Sequence, residues 1–195
     1  HLKPHNEKIS VFNDRNNIWA TYDAVISTLP APQNLDLMKK FPILKKTLET
    51  ASYDACITLM FIFDEKPKNI PYFFEYYNQQ GMLSCMAAGS NLRFWTAQTR
   101  GEYSNKNINK DKILLKDEIF QEIEKTIYQL EPNIKINFHS LHIWKYAKVT
   151  KVCSGPQIDP KFPIVVAGDF MEGASVESAF SSGEKAAELI LERLH

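Results

Sequence analysis

Glycine, cysteine and net charge are all scarce in this chain of 195 residues, and each scarcity excludes something. Only seven glycines occur, at 81, 89, 101, 155, 168, 173 and 183. No three of them have the GxGxxG spacing of a dinucleotide-binding turn. Gly168 and Gly173 have the separation of phosphate-loop glycines, but Ala174 stands where that loop needs its lysine. The three cysteines, Cys56, Cys85 and Cys153, are widely spaced and form no CxxC. That argues against a disulfide framework and a cysteine-based zinc site, and for reduced thiols in an intracellular, cytoplasmic protein. Cys56 and Cys85 lie in apolar runs, where packing is their expected role. Lys and Arg number 23 against 23 Asp and Glu, so there is no electrostatic case for nucleic acid or an acidic membrane. No apolar run reaches the ~20 residues of a membrane span. His1-Leu2-Lys3-Pro4-His5 lacks the apolar core of a signal peptide.

What is present is an ordered series of strand and helix signals. A chain of this length buries roughly 70% of its unfolded surface, enough for one large or two small domains. Ile9 to Phe12 is a short strand candidate. Tyr22 to Leu29 is nearly all apolar in its centre, the pattern of a strand buried on both faces in a parallel sheet. Pro30-Ala31-Pro32 ends it, and residues 33–50 read as helix broken at Pro42. Tyr53 to Phe63, Tyr72 to Tyr77, Met82 to Ala87 and Leu92 to Gln98 then read as an antiparallel meander, with a turn at Asn78-Gln79-Gln80-Gly81. The stretch Gly101 to Lys112 is polar. Leu115, Ile119, Ile123, Ile127 and Leu130 recur at helical spacing before Pro132. Ile134 to Val149 is a long strand or a pair, and Gly155-Pro156 turns the chain into a last strand and helix.

The fold class expected is therefore α+β, related to α/β: an antiparallel substrate-domain sheet with helices, plus strands and a final helix of a second domain. Residues 1–32 are read as returning strands of that second domain, 33–150 as the substrate domain, and 151–195 as the closing strand–helix unit. The principal piece of the second domain is expected to precede His1.

The last unit carries the chemistry. Pro163 to Ala167 reads as a buried strand, Gly168 to Gly173 as an acidic turn, and the rest as helix. Val176, Phe180, Gly183, Ala187, Ile190 and Leu194 form one stripe of that helix. The small residues Ala174, Ser178, Ala179, Ser182 and Ala186 run beside it and let another backbone come close. Free amides at the helix start carry partial positive charge, suited to a phosphate or an anionic ring oxygen. Asp169, at the strand's carboxyl end, is placed to accept hydrogen bonds from sugar-type hydroxyls. A plain strand–turn–helix, with Asp169 capping the turn, is the alternative at this point.

Gly168-Asp169-Phe170, Val176-Glu177-Ser178-Ala179 and Ser182-Gly183-Glu184-Lys185-Ala186-Ala187 resemble the carboxy-terminal flavin motif of amine-oxidase-type enzymes, most of all the renalase-like bacterial branch of NAD/FAD-dependent oxidoreductases. Tyr22 to Ile26 with Pro30-Ala31-Pro32-Gln33, Trp95 to Ser104, and His142-Ile143-Trp144-Lys145-Tyr146-Ala147 resemble that branch in the same order. Phe170, Ser178 and Val149 depart from its commoner tryptophan, glycine and proline. The resemblance implies a FAD-dependent oxidoreductase that takes a hydride from an amine-like or reduced nicotinamide-like donor, with oxygen as final acceptor. It implies cofactor contacts from Gly168, Asp169, Phe170, Gly173, Ala174, Ser175 and Val176: Asp169 toward the ribityl or phosphate region, and the backbone near Val176 toward the flavin pyrimidine oxygen. Trp144 and Tyr146 would line the flavin cavity, where core packing is the competing reading.

Tyr76, alternating with Tyr72 and Phe74, and Trp95 are further candidates for a substrate wall, against a half-buried sheet face. No catalytic residue stands out, and no metal site is expected: His139 and His142 lie at an odd separation and fall on opposite strand faces. Lys106 to Lys125 reads as a solvated helix face. The family's Gly-rich segment that grips the ADP half of FAD is not in these residues, so the expected partner is such a segment, and the chain alone is expected to bind FAD weakly or not at all and to be inactive. Without it, the small-residue helix face and an edge of the first strand would be open to self-association. The alternative from another class is a non-catalytic module for an apolar ligand or a protein partner.

Overall fold

The computed structural model describes residues 1–76 and 81–195. The chain divides into two compact units, 1–53 with 149–195 and 54–148. The class is α+β. Residues 33–53, which by sequence belong with the middle domain, pack within the first unit.

In the first unit, β1 (Leu2–His5), β2 (Lys8–Phe12) and β3 (Ile18–Tyr22) form an antiparallel meander. Only the middle strand of the three is evident from the sequence. β4 (Val25–Ser27) pairs in parallel with β11 (Ile164–Val166), whose other neighbour is β10 (Gln157–Ile158). The parallel pairing matches the expectation, but the burial does not. β4 is a sheet edge, and Ile26 is 41% exposed. The Val25 amide donates to the Pro163 carbonyl and the Ser27 carbonyl accepts from Ala167, so the Ile26 amide and carbonyl between them face the open side.

Pro42 opens α2 (Pro42–Leu48) and does not merely interrupt a helix, since a first-turn proline loses no hydrogen bond. With α1 (Ala31–Leu37), it lays Phe41, Leu44 and Leu48 against Ile164 and Val166. On the other side of β11, Val165 and Ala167 meet Ala186 and Ile190 of α5 (Val176–Leu194). The strand is therefore apolar on both faces, as its Ile-Val-Val-Ala run predicts.

In the second unit the sheet order is β6-β7-β8-β5-β9, with β5 (Ser52–Phe63), β6 (Phe73–Glu75), β7 (Leu83–Ala88), β8 (Phe94–Thr99) and β9 (Ile136–Lys151). Leu92 sits in the β7–β8 turn at φ 62°, which is why the strand begins later than its apolar run. The predicted end at Tyr77 and the turn at Asn78-Gln79-Gln80 lie outside the described residues. One sheet face packs on α4 (Lys112–Leu130): Ile57, Leu59, Phe61 and Phe63 of β5 meet Leu115, Ile119, Ile123 and Ile127. Asp111 caps this helix by accepting from the Ile113 and Leu114 amides. The polar stretch before it holds α3 (Gly101–Asn107), which has too few apolar residues for periodicity to reveal it.

The three cysteines are free. Cys153 is buried, whereas Cys56 and Cys85 are only half-buried. Cys56 shares strand parity with Met60 and Ile62, not with the core set Ile57, Leu59 and Phe61, so an apolar run does not make it a packing residue. Among the described residues no helix is long and apolar enough to cross a membrane.

Candidate functional site

In the first unit, β11 ends at Val166 and the chain turns through a 3₁₀ segment, Asp169–Met171, into α5. Gly168 has φ +153°, a region that favours glycine, and a Cβ there would lie 2.5 Å from the Phe170 ring. The Gly168 amide donates to the buried Ser182 hydroxyl at 2.9 Å. Ser182 and Ala186 thus form the inner face of α5, and the backbone that comes close to these small residues is the unit's own. Of the small-residue face expected to stand open, Ser182 and Ala186 are closed off, whereas Ala174 and Ala179 are exposed and Ser178 is half-buried. The start of the larger stripe is also open, with Val176 82% and Phe180 68% exposed, while Ile190 of the same stripe is buried.

The seven predicted cofactor residues fall into two groups. Phe170 is buried against the core, and the amides of Gly168, Gly173 and Ser175 are occupied by Ser182, Asp169 and Gly173 respectively. Ser175 caps α5 by accepting from the Ser178 amide at 3.1 Å. Ala174 and Val176 are exposed and Asp169 is half-buried. The amides of Val176 and Glu177 have no hydrogen-bond acceptor among the described residues. Asp169 stands near Tyr53, whose phenol burial pushes up to about 12; the Ala31 amide opposes that shift, and the Asp169 charge adds to it.

Lys185 donates to Glu172 at 2.6 Å and ties α5 to the turn. This hydrogen bond, with a second from Ser181, holds the Glu172 carboxyl below its ordinary range. A lowered folded pKa stabilises the protein above the unfolded value of ~4.3 and ceases to do so as pH falls through the folded value. Lys185→Gln is therefore expected to lower the thermal midpoint near neutral pH. The gap from the parent should close in acid. A gap that persists unchanged below pH ~3 would show that Lys185 acts through something other than Glu172.

In the second unit, the sheet face away from α4 is open. A cleft of about 590 Å³ on it is lined by residues that include Cys56, Gln98, Arg100, Trp144 and Tyr146. Trp144 and Tyr146, predicted to line a ligand cavity, are brought together there, and Trp144 is 55% exposed. Trp95 and Tyr76 are placed on the other side. Trp95 is 2% exposed, packs against Phe61, Phe63 and Phe74, and donates its indole N–H to the Leu92 carbonyl. Tyr76 packs against the same core and donates to the Thr126 hydroxyl of α4. Strand parity explains both: Trp95 pairs with Phe61 of the core face, and Tyr76 shares the parity of Phe74. Sequence reasoning misses Arg100 and Lys148, charged members of the 590 Å³ cleft. No sequence pattern marks them, because β8 and β9 bring them together. His139 stacks on Phe120 and His142 lies beside Trp144; among the described residues no group of metal-ligating side chains occurs.

No family model matches this sequence, and no curated protein does. Solved structures do match. An oxidoreductase from Methanosarcina mazei superposes with a TM-score of 0.63 and 16% identity over 96% of this chain and 47% of that one. A CLA-producing fatty acid isomerase from P. acnes superposes with a TM-score of 0.64 and 11% identity over 96% of this chain and 46% of that one. The chain shares its fold with part of each of these two structures. The chain spans about half the length of the structures it matches.

Proposed function

We propose that this chain is the rear portion of a FAD-dependent oxidoreductase of amine-oxidase type, renalase-like in its motifs. The observation that carries the reading is the exposed start of α5, whose Val176 and Glu177 amides have no acceptor among the described residues, following the turn that holds Asp169 at the carboxyl end of a parallel strand. The fold shared with part of the oxidoreductase from Methanosarcina mazei supports it. In this reading Asp169 accepts hydrogen bonds from hydroxyls of the cofactor, and the Val176 and Glu177 amides face developing negative charge on its ring. FAD, when bound, accepts the hydride; the chain's own residues orient and polarise it. Amine-like and reduced nicotinamide-like compounds are the donors proposed, with Trp144 and Tyr146 as the substrate wall. A Gly-rich nucleotide-binding segment is the partner that completes the cofactor site, and the open edge of β4 is the kind of edge that further parallel strands cover.

The test is a flavin titration of the purified chain, alone and with a Gly-rich strand–loop–helix segment fused ahead of His1. The chain alone should stay colourless, and the fusion should take up FAD and turn yellow. Asp169→Ala in the fusion should weaken FAD binding about tenfold or more, the loss of hydrogen bonds to a charged group. Absence of flavin from both forms would sink the reading. A second reading, a non-catalytic interaction module, draws on the exposed Val176 and Phe180 stripe. It predicts stable oligomers of a protein that stays colourless in both forms.

A further inference from the structure

We propose that the open face of the five-stranded sheet binds an amphipathic monocarboxylate, an acid with one alkyl chain. The inference shares with the proposed function only the reading of this face as a ligand wall, and goes beyond it by assigning the face an acid ligand distinct from the amine-like donor. Side chains alternate along β5, so Cys56, Met60 and Ile62 stand on the open face while Ile57, Leu59 and Phe61 enter the core. Two clefts share that face. The 590 Å³ cleft takes Cys56 from β5, Gln98 from β8 and Trp144 from β9. A second, of about 420 Å³, takes Met60 and Ile62, Phe94 and Thr96, and Ser140 from the same three strands. From Cys56 to Ile62 the strand covers ~20 Å, so the two clefts, which share no lining residue, lie in line along one strip of the sheet.

The chemistry changes along the strip. At one end the lining holds two cations, Arg100 and Lys148, and a single acid, Asp54, whose carboxylate already accepts from Asn105 at 2.7 Å. Arg100 is held by a hydrogen bond from Nη2 to the Tyr76 carbonyl, which fixes the guanidinium without neutralising it. Its Nε is buried without a partner among the described residues. This end carries excess positive charge suited to a carboxylate. At the other end Met60, Ile62, Ala87 and Phe94 offer almost only carbon, with Met60 and Phe94 exposed. A neutral alkane leaves the two cations without a counter-charge, and a polyanion leaves the apolar half uncovered. A carboxylate head with an alkyl tail satisfies both ends at once.

The test uses the full chain and sodium laurate below its micelle concentration, read by calorimetry and tryptophan fluorescence. Saturable one-to-one binding is expected, with dodecylamine binding at least tenfold more weakly. Met60→Asp should weaken laurate about tenfold. Arg100→Gln with Lys148→Gln should weaken it about tenfold or more. Should that double variant unfold, Lys148→Glu alone, at an exposed position, reads the head charge and should also weaken laurate. Absent laurate binding, equal affinity for dodecylamine, or adsorption to phosphatidylglycerol vesicles without uptake of monomeric laurate each overturns the proposal. Laurate is titrated without flavin, so the two failures separate. Laurate binding with no FAD uptake by the fused form overturns the flavin reading alone; FAD uptake without laurate binding overturns this inference alone.

Discussion

Replacing Gly168 by alanine is expected to lower the midpoint of thermal unfolding by on the order of 10 °C. Two costs coincide at this position. The backbone sits at φ +153°, and the new methyl group would lie 2.5 Å from the Phe170 ring. Phe170 is buried in the first unit's core and has no room to retreat. Backbone strain and overpacking together amount to ~3 kcal/mol or more, and each kcal/mol shifts the midpoint by ~2–4 °C in a chain of this size. Gly155→Ala is the control. Its φ is +85°, but nothing lies within 4 Å of the added methyl, so strain alone acts, at roughly 1 kcal/mol. Circular dichroism melts of the two variants decide the matter. If the Gly168 variant melts with the parent, or the two variants lose equal stability, the turn is not built as described.

Trp95→Ala should destabilise by ~3–5 kcal/mol, whereas Trp144→Ala should change stability by no more than ~0.5 kcal/mol. The indole of Trp95 fills the space among Phe61, Phe63 and Phe74, and its removal leaves a cavity and an unpartnered Leu92 carbonyl. Trp144 stands on the open face beside His142. The ligand readout should run the other way, with laurate binding lost in Trp144→Ala while the fold stays intact. Denaturant unfolding curves supply the first comparison and calorimetry the second. Equal destabilisation by both variants would contradict the assignment of the two sheet faces.

Several features of this molecule are legible in residue spacing alone. The stripe Leu115, Ile119, Ile123 and Ile127 announces α4, and all four side chains are buried. The Ile-Val-Val run announces a strand covered on both faces. β3 escapes detection although Ile18-Trp19-Ala20-Thr21-Tyr22 has strand composition, because it is an exposed edge with no alternation of polar and apolar residues. Its turn signal is Asn16, which sits at φ 63°. The wider difficulty concerns faces. Val176 and Phe180 are the large apolar residues at the start of α5, and periodicity alone points them inward. The helix instead turns Ser182, Ala186 and Ile190 toward β11 and Gly168, so Ile190 is the only large residue of the predicted stripe that is covered. The same ambiguity sets Tyr76 beside Trp144 among the wall candidates, since an aromatic alternation has two faces and the pattern does not say which is covered.

Sequence by itself determined the parallel pairing, the β6–β7–β8 part of the meander and the amphipathic helix, because these follow from spacing along a few consecutive residues; it did not place β5, which joins β8 and not β6 as a four-strand meander requires. Only the tertiary structure decided which face of each strand and helix is covered, and so which side chains are left for chemistry. Arg100 and Lys148 line one cleft, and the turn that holds Asp169 leads into the two free amides of α5, through strand order and helix placement. Those are set by the balance of packing across the whole unit, which no local period encodes.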